Sequence, residues 1–168
     1  MKILSVRDYA HIALVAALYI VLTITPPLNA LSYGMYQFRV SEMMNFLAFY
    51  NPKYIISLTL GCMLANLYSF TLVDVAVGGG STLVFVTLGV VLFDRYKKEY
   101  VLGGVFNKAF FYFSFFFAAS MITIAVELTF FGAPFWLSWL TTAVGELVSL
   151  LVGSVIIDKV GQHIDLSR

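Results

Sequence analysis

Five apolar runs, each close to the length that crosses a lipid bilayer, constrain this chain more than any other feature of its sequence. A hydrocarbon core of about 30 Å is spanned by about 20 helical residues that rise 1.5 Å each. The pattern predicts an all-α integral membrane protein. The runs are Tyr9–Thr25, Tyr54–Tyr68, Asp74–Phe93, Ala109–Val126 and Phe135–Ile157.

Composition supports lipid as the solvent for these runs. Of the 168 residues, 61% are hydrophobic and 11% are charged, against roughly 25% charged in a soluble domain. A small soluble domain leaves too much surface exposed to hide so many apolar side chains. The net charge of +1 indicates no nucleic-acid partner, because it leaves no basic patch to meet phosphates.

A sixth segment lies between Pro26-Pro27 and Pro52. Gln37–Tyr50 is apolar at most positions, but it is short and carries Arg39 and Glu42. We therefore expect a sixth membrane helix whose outer end opens into a cavity rather than into lipid. With no repeat and no long linker, residues 1–168 are predicted to form a single transmembrane domain.

The distribution of Lys and Arg predicts the orientation. Cytoplasmic loops are enriched in these residues, and the connections 26–36, 69–73 and 127–134 contain none. Six spans with both termini in the cytoplasm satisfy this alternation, and an odd number does not. The basic residues of the opposite connections and termini are Lys2, Arg7, Lys53, Arg95, Lys97, Lys98, Lys159 and Arg168.

Catalytic motifs do not emerge from the sequence. The Gly78–Thr82 run resembles a phosphate loop but lacks its lysine, and no HExxH, GxSxG or paired-cysteine pattern occurs. Cys62 lies in an apolar run and is expected to be a small buried hydrophobe. We predict no catalytic residue, no metal site, no cofactor and no ATP hydrolysis by this chain alone.

Ionisable residues at membrane depth are the candidates for function. Each costs about 2.5–3.5 kcal/mol at the bilayer centre on insertion scales, so such groups usually face a cavity or a partner. Glu146 follows Phe135 by 11 residues, about 16 Å along a helix, which places it near the midplane. The set is Arg39, Glu42, Asp74, Glu127 and Glu146.

The charges of this set predict the ligand chemistry. Arg39 and Glu42 are spaced i,i+3, so a purely structural pair is one interpretation. Four acids and one base still leave −3, and a surplus of carboxylates favours a ligand with cations or several N–H donors. The adjacent N–H and amino groups of a guanine-like edge match such acceptors.

Aromatic residues beside the acids are candidates to sandwich a flat heterocycle. We expect Phe38, Phe135 and Trp136 to do so, as aromatic residues of the predicted outer loops and helix ends that lie close to the acids. An interfacial aromatic belt gives the same pattern and is the alternative. The other aromatic residues of the predicted outer segments include Tyr33, Tyr36 and Trp139.

The first apolar run carries a small-residue face. Ala13 and Ala17 form a small-xxx-small pair that allows another helix to approach closely. Internal packing within the chain is the alternative explanation.

Several motifs together resemble one family. QFRVSE at Gln37–Glu42, GCMLAN at Gly61–Asn66 and Asp74 are followed by AVEL at 125–128, PFWL at 134–137 and VGE at 144–146. In this order they resemble the QueT family, the substrate-binding S components of energy-coupling-factor (ECF) transporters for queuosine precursors. The resemblance covers nearly the whole chain.

The resemblance implies a six-helix fold that binds a deazaguanine base near the outer face of a prokaryotic plasma membrane. It also implies docking, through Ala13 and Ala17, on a transmembrane coupling protein driven by two ATPase subunits. The substrate-binding residues expected from the motifs and the charges are Gln37, Phe38, Arg39, Glu42, Asn66, Asp74, Glu127, Phe135, Trp136 and Glu146.

Three other functions compete with this interpretation. The same scaffold could bind another vitamin-like substrate. A stand-alone secondary transporter could use Glu146 as a proton carrier. An intramembrane enzyme is the third alternative.

Overall fold

The computed structural model describes residues 4–33, 37–69 and 71–167. Helices account for 79% of this part of the chain. In order, the α-helices are α1 Val6–Ile24, α2 Leu28–Ser32, α3 Lys53–Ser69, α4 Leu72–Phe93, α5 Lys108–Ser120, α6 Ile122–Phe130 and α7 Phe135–His163. Two 3₁₀-helices, Val40–Phe49 and Asp94–Tyr96, and a short antiparallel hairpin of β1 (Tyr100–Val101) and β2 (Phe106–Asn107) complete the fold.

Four helical segments among the described residues are long and apolar enough to cross a membrane. The helix α3 coincides with the second predicted apolar run, but it has only 17 residues. The predicted run Ala109–Val126 is divided by a turn at Met121 into α5 and α6. The four segments are Val6–Ile24, Leu72–Tyr96, Lys108–Phe130 and Phe135–His163.

The sixth predicted segment is a 3₁₀-helix, Val40–Phe49, and it is buried within the bundle. Eight of its ten residues are buried, and it contacts α1, α3, α4 and α7. A 3₁₀-helix rises about 2.0 Å per residue, so ten residues extend about 20 Å, further than the same number in an α-helix. This geometry lets a short segment cross most of the bundle.

Aromatic packing holds this 3₁₀-helix in place. The Phe46 ring centroid lies 4.6 Å from that of Phe110 and 5.5 Å from that of Phe113 on α5. Phe49 contacts the same two rings at 5.3 and 5.4 Å. Tilted and edge-on contacts at these distances are the favoured arrangements of aromatic pairs.

The helix ends form two distinct groups. At one end, here called the basic end, Lys53 pairs with Asp8 at 2.8 Å, and the Tyr100 hydroxyl donates to Asp158 at 3.1 Å. At the other, the cavity end, the Tyr33 hydroxyl donates to the carbonyl of Ala65 at 3.2 Å. Lys2, Tyr36 and Arg168 lie outside the described residues.

Candidate substrate cavity

The cavity end contains a chamber of about 300 Å³, here called the outer chamber. Residues from the segment before the 3₁₀-helix, from the end of α3, from the start of α4 and from α6 surround it. Ligand pockets for small molecules begin at about this volume. Its lining residues are Tyr33, Gln37, Arg39, Asn66, Thr71, Asp74, Ile124, Glu127, Leu128 and Phe131.

A second, much smaller space of about 20 Å³, here called the inner crevice, lies next to the outer chamber. Gln37, Arg39 and Ile124 line both spaces. Glu42 of the 3₁₀-helix and Glu146 of α7 line the crevice only, so the structure divides the predicted acids between two compartments.

A third space of about 260 Å³ adjoins the outer chamber on the side of α7. It shares Tyr33, Gln37 and Leu128 with the chamber. The hydroxyl-bearing residues Ser138, Thr141 and Thr142 contribute the α7 wall.

The carboxylate of Asp74 has a local structural task. Its Oδ2 accepts hydrogen bonds from the Thr71 backbone N–H and from the Thr71 hydroxyl, each at 2.8 Å. This is a capping box, in which the third helical residue reaches back to the cap. Asp74 therefore fixes the start of α4 with one oxygen and lines the chamber.

The side chain of Asn66 is held by the backbone of α4. Its Nδ2 donates to the carbonyl of Asp74 at 2.9 Å. The close approach requires glycine at position 78, because a Cβ there would lie 2.2 Å from Nδ2. The glycine run that resembled a phosphate loop instead allows α3 and α4 to pack closely.

Two buried carboxylates have an oxygen without a partner. Glu127 and Glu146 are 5% and 2% exposed. In the described part of the chain, Oε1 of each makes no hydrogen bond. A buried polar atom without a partner costs about 1–3 kcal/mol, so each oxygen is a ready acceptor for a ligand or for water.

Glu42 contrasts with both, because its carboxylate is fully engaged. The Tyr19 hydroxyl donates to Oε1, and Asn45 Nδ2 donates to Oε2 at 2.6 Å. Arg39 Nη1 lies 3.9 Å from Oε1. The i,i+3 pairing considered from the sequence is present, and it forms part of a larger buried network.

Arg39 stands between the two compartments. Its Nε donates to the carbonyl of Ser32 at 3.4 Å, and its guanidinium carbon lies 5.3 Å from the centroid of the Tyr33 ring. The Ser149 hydroxyl of α7 donates to its backbone carbonyl at 2.5 Å. Arg39 thus links α2, the 3₁₀-helix and α7.

The aromatic residues that line the spaces differ from those expected. Phe38, Phe135 and Trp136 line none of the three spaces. Trp136 is 68% exposed, and its ring packs on Phe135 with centroids 5.1 Å apart. Among the described residues, the aromatic side chains of the outer chamber are Tyr33 and Phe131.

Sequence reasoning missed five residues of the chamber wall: Tyr33, Thr71, Ile124, Leu128 and Phe131. Helical spacing was a usable signal for two of them. Ile124 and Phe131 lie three residues before and four residues after Glu127, so all three share one helix face.

The alanine face of α1 is divided between surface and core. Ala13 and Ala17 are exposed, whereas Ala16 is buried. Internal packing within the chain therefore accounts for Ala16 and not for the small-xxx-small pair. Among the described residues, no cluster of three metal-ligating side chains occurs.

A multi-pass membrane protein with an acid-lined chamber of small-molecule size has the architecture of a solute transporter. The chain belongs to the QueT transporter family, whose family model matches residues 9–162. It is also 59% identical over 169 residues to "Queuosine precursor transporter QueT" of Lactococcus lactis subsp. cremoris (strain MG1363), and the match covers 100% of each chain. No solved structure matches. The resemblance noted from the sequence motifs is confirmed.

Proposed function

We propose that this chain is the substrate-specificity component of an ECF-type importer for a queuosine precursor, a 7-deazaguanine base. The observation that carries the proposal is the full-length identity to a protein named for queuosine-precursor transport. The acid-lined outer chamber supports it, because carboxylates accept the N–H groups that such a base presents.

The proposed topology has six membrane spans, with both termini in the cytoplasm of a prokaryote and the chamber facing outward. The buried 3₁₀-helix counts as one span and α3 as another. Support comes from the grouping of Lys53, Arg95, Lys97 and Lys98 at the basic end, since cytoplasmic loops are enriched in positive charge.

Substrate binding is proposed for the ten residues expected from the sequence. Five of them line the outer chamber: Gln37, Arg39, Asn66, Asp74 and Glu127. Glu42 and Glu146 line the inner crevice, and Phe38, Phe135 and Trp136 lie outside these spaces.

Energy is proposed to come from partner subunits: a transmembrane coupling protein and two ATPases. The exposed Ala13 and Ala17 are the proposed docking residues, because small side chains let a partner helix approach closely. The test is uptake into proteoliposomes. The chain alone should bind a deazaguanine base, and uptake should require the coupling protein, both ATPase subunits and ATP.

A stand-alone proton-coupled transporter is the second candidate, and the unpartnered buried oxygen of Glu146 favours it. Intramembrane carboxylates commonly serve as proton relays. Uptake by the chain alone, driven by an imposed pH gradient, would support this candidate and refute the ECF-type proposal.

A further inference from the structure

The outer chamber contains two carboxylates in close proximity, those of Asp74 on α4 and Glu127 on α6. Two carboxylates that interact directly cannot both ionise easily, because like charges repel, unless a cation lies beside them. One oxygen of Asp74 is held by Thr71, and Oε1 of Glu127 has no hydrogen-bond partner. Among the described residues, no Lys or Arg side chain pairs with either carboxylate.

The other charge in the chamber does not balance the two carboxylates. Among the described lining residues, Arg39 is the other charged residue. One guanidinium against two carboxylates leaves −1. The Arg39 guanidinium contacts the carbonyl of Ser32 and the ring of Tyr33. Its Nη1 lies 3.9 Å from the carboxylate of Glu42. A ligand that carries one positive charge would neutralise the chamber.

Volume decides which acid a flat base can reach. The outer chamber has about 300 Å³ and the inner crevice about 20 Å³. A space of 10–20 Å³ admits about one water molecule, so a bicyclic ring fits the chamber and not the crevice. Glu127 is therefore within reach of the ring, and Glu146 is separated from it.

Two aromatic rings border the same chamber. Tyr33 is fixed by its hydrogen bond to Ala65 and by the guanidinium of Arg39 against its ring. Phe131 follows Glu127 by four residues at the end of α6, so its ring and the carboxylate lie on the same side of the helix.

We propose that the Asp74–Glu127 pair receives the positively charged end of the ligand, and that Tyr33 and Phe131 flank its ring. The ligand class is a planar base that carries an ammonium group. This assignment rests on the proposed function and specifies which residues of the site discriminate between substrates.

Calorimetry on the purified full chain tests the assignment with two probes: 7-aminomethyl-7-deazaguanine, which is cationic, and its neutral 7-cyano counterpart. Glu127→Gln should weaken binding of the cationic probe by about tenfold or more, the scale of a lost charge-assisted hydrogen bond. The neutral probe should be affected much less. Phe131→Leu should weaken binding of the two probes equally, since ring contacts do not depend on the charge of the ligand.

Matched controls are available elsewhere in the chain. Glu99→Gln alters an acid that pairs with Lys108 in the hairpin region, and Phe130→Leu alters the exposed neighbour of Phe131. Both should bind the probes like the parent. If Glu127→Gln fails to fold, Asp74→Asn provides the same comparison, because asparagine retains an acceptor oxygen for the cap.

The outcomes separate the two proposals. If the parent binds neither probe, the proposed function and this assignment both fail. If the parent binds but Glu127→Gln loses both probes equally, or neither, the charge role of the pair is refuted while the function stands. If Glu146→Gln alone abolishes binding, the ring occupies the inner crevice and the assignment is overturned.

Discussion

The hydroxyl of Tyr19 on α1 donates a hydrogen bond to the carboxylate of Glu42 on the buried 3₁₀-helix. Tyr19 is fully buried. The bond thus joins the first membrane helix to the element at the centre of the bundle.

Tyr19→Phe should destabilise the protein by about 1.5–3 kcal/mol, because the variant leaves a buried carboxylate short of one donor. Unfolding of the detergent-solubilised chain by a denaturing detergent measures the change. Tyr9→Phe is the matched control, since Tyr9 is exposed on the same helix. Equal unfolding midpoints for the two variants would show that the Tyr19 bond contributes nothing to stability.

Gly78→Ala should lower ligand affinity by displacing Asn66. The added Cβ would lie 2.2 Å from Asn66 Nδ2, so the side chain must move and give up its bond to the carbonyl of Asp74. The displaced Asn66 then loses its proposed contact with the ligand. The expected loss of affinity is about 0.5–1.5 kcal/mol, the net value of one neutral hydrogen bond, and calorimetry with a deazaguanine base measures it.

Gly80→Ala is the control for this substitution. No atom lies within 4 Å of a Cβ at position 80, and alanine is favoured over glycine inside a helix by about 1 kcal/mol. This variant should bind the ligand normally and be at least as stable as the parent. A Gly78→Ala variant with parental affinity would remove Asn66 from the binding site.

The length of the apolar runs was sufficient to locate the four helical segments that are long and apolar enough to cross a membrane, because crossing lipid imposes a length on any apolar helix. They did not reveal the break at Met121 within the run Ala109–Val126. Nor did they indicate that Val40–Phe49 forms a 3₁₀-helix. That choice depends on contacts with the surrounding helices, which no local pattern records.

The acids of the candidate site were predictable, because a charged side chain at membrane depth is costly unless it faces a cavity or a partner. Their division between an outer chamber and an inner crevice was not, because it depends on how α6 and α7 pack. Phe135 and Trp136 were expected at the site rather than Phe131, although Phe131 is only four residues from Glu127. The i,i+4 spacing places Phe131 and Glu127 on the same helix face, and this spacing was the signal that could have identified Phe131.

Thiol labelling of intact cells tests the proposed topology. The native Cys62 is buried, so it should stay unreactive and leave a clean background. Ala30→Cys and Ala133→Cys at the cavity end should react with an impermeant maleimide from outside. The cysteine is not placed at Gly132, because the φ of +90° at that residue disfavours any side chain.

Lys98→Cys, at the basic end, should be inaccessible from outside the cell. It should be labelled only after the cells are opened. A reporter fused after Arg168 should likewise be cytoplasmic. Labelling of Lys98→Cys from outside, with protection of Ala30→Cys, would reverse the orientation and place the chamber at the inner face.

Ala13→Leu and Ala17→Leu should weaken assembly with the coupling protein. Both alanines are exposed on α1, and a leucine there would keep a partner helix from approaching closely. Co-purification of the coupling protein with tagged variants measures assembly. Ligand binding by the isolated chain should persist, because neither residue lines the described spaces.

Two comparisons make the docking result specific. Ala76→Leu places the same bulk at an exposed position of α4 and should assemble normally. Ala16→Leu adds it to a buried position, where overpacking costs about 1–3 kcal/mol, so this variant should lose stability rather than assembly alone. If Ala13→Leu and Ala17→Leu recover the coupling protein as well as Ala76→Leu does, the partner binds another face of the bundle.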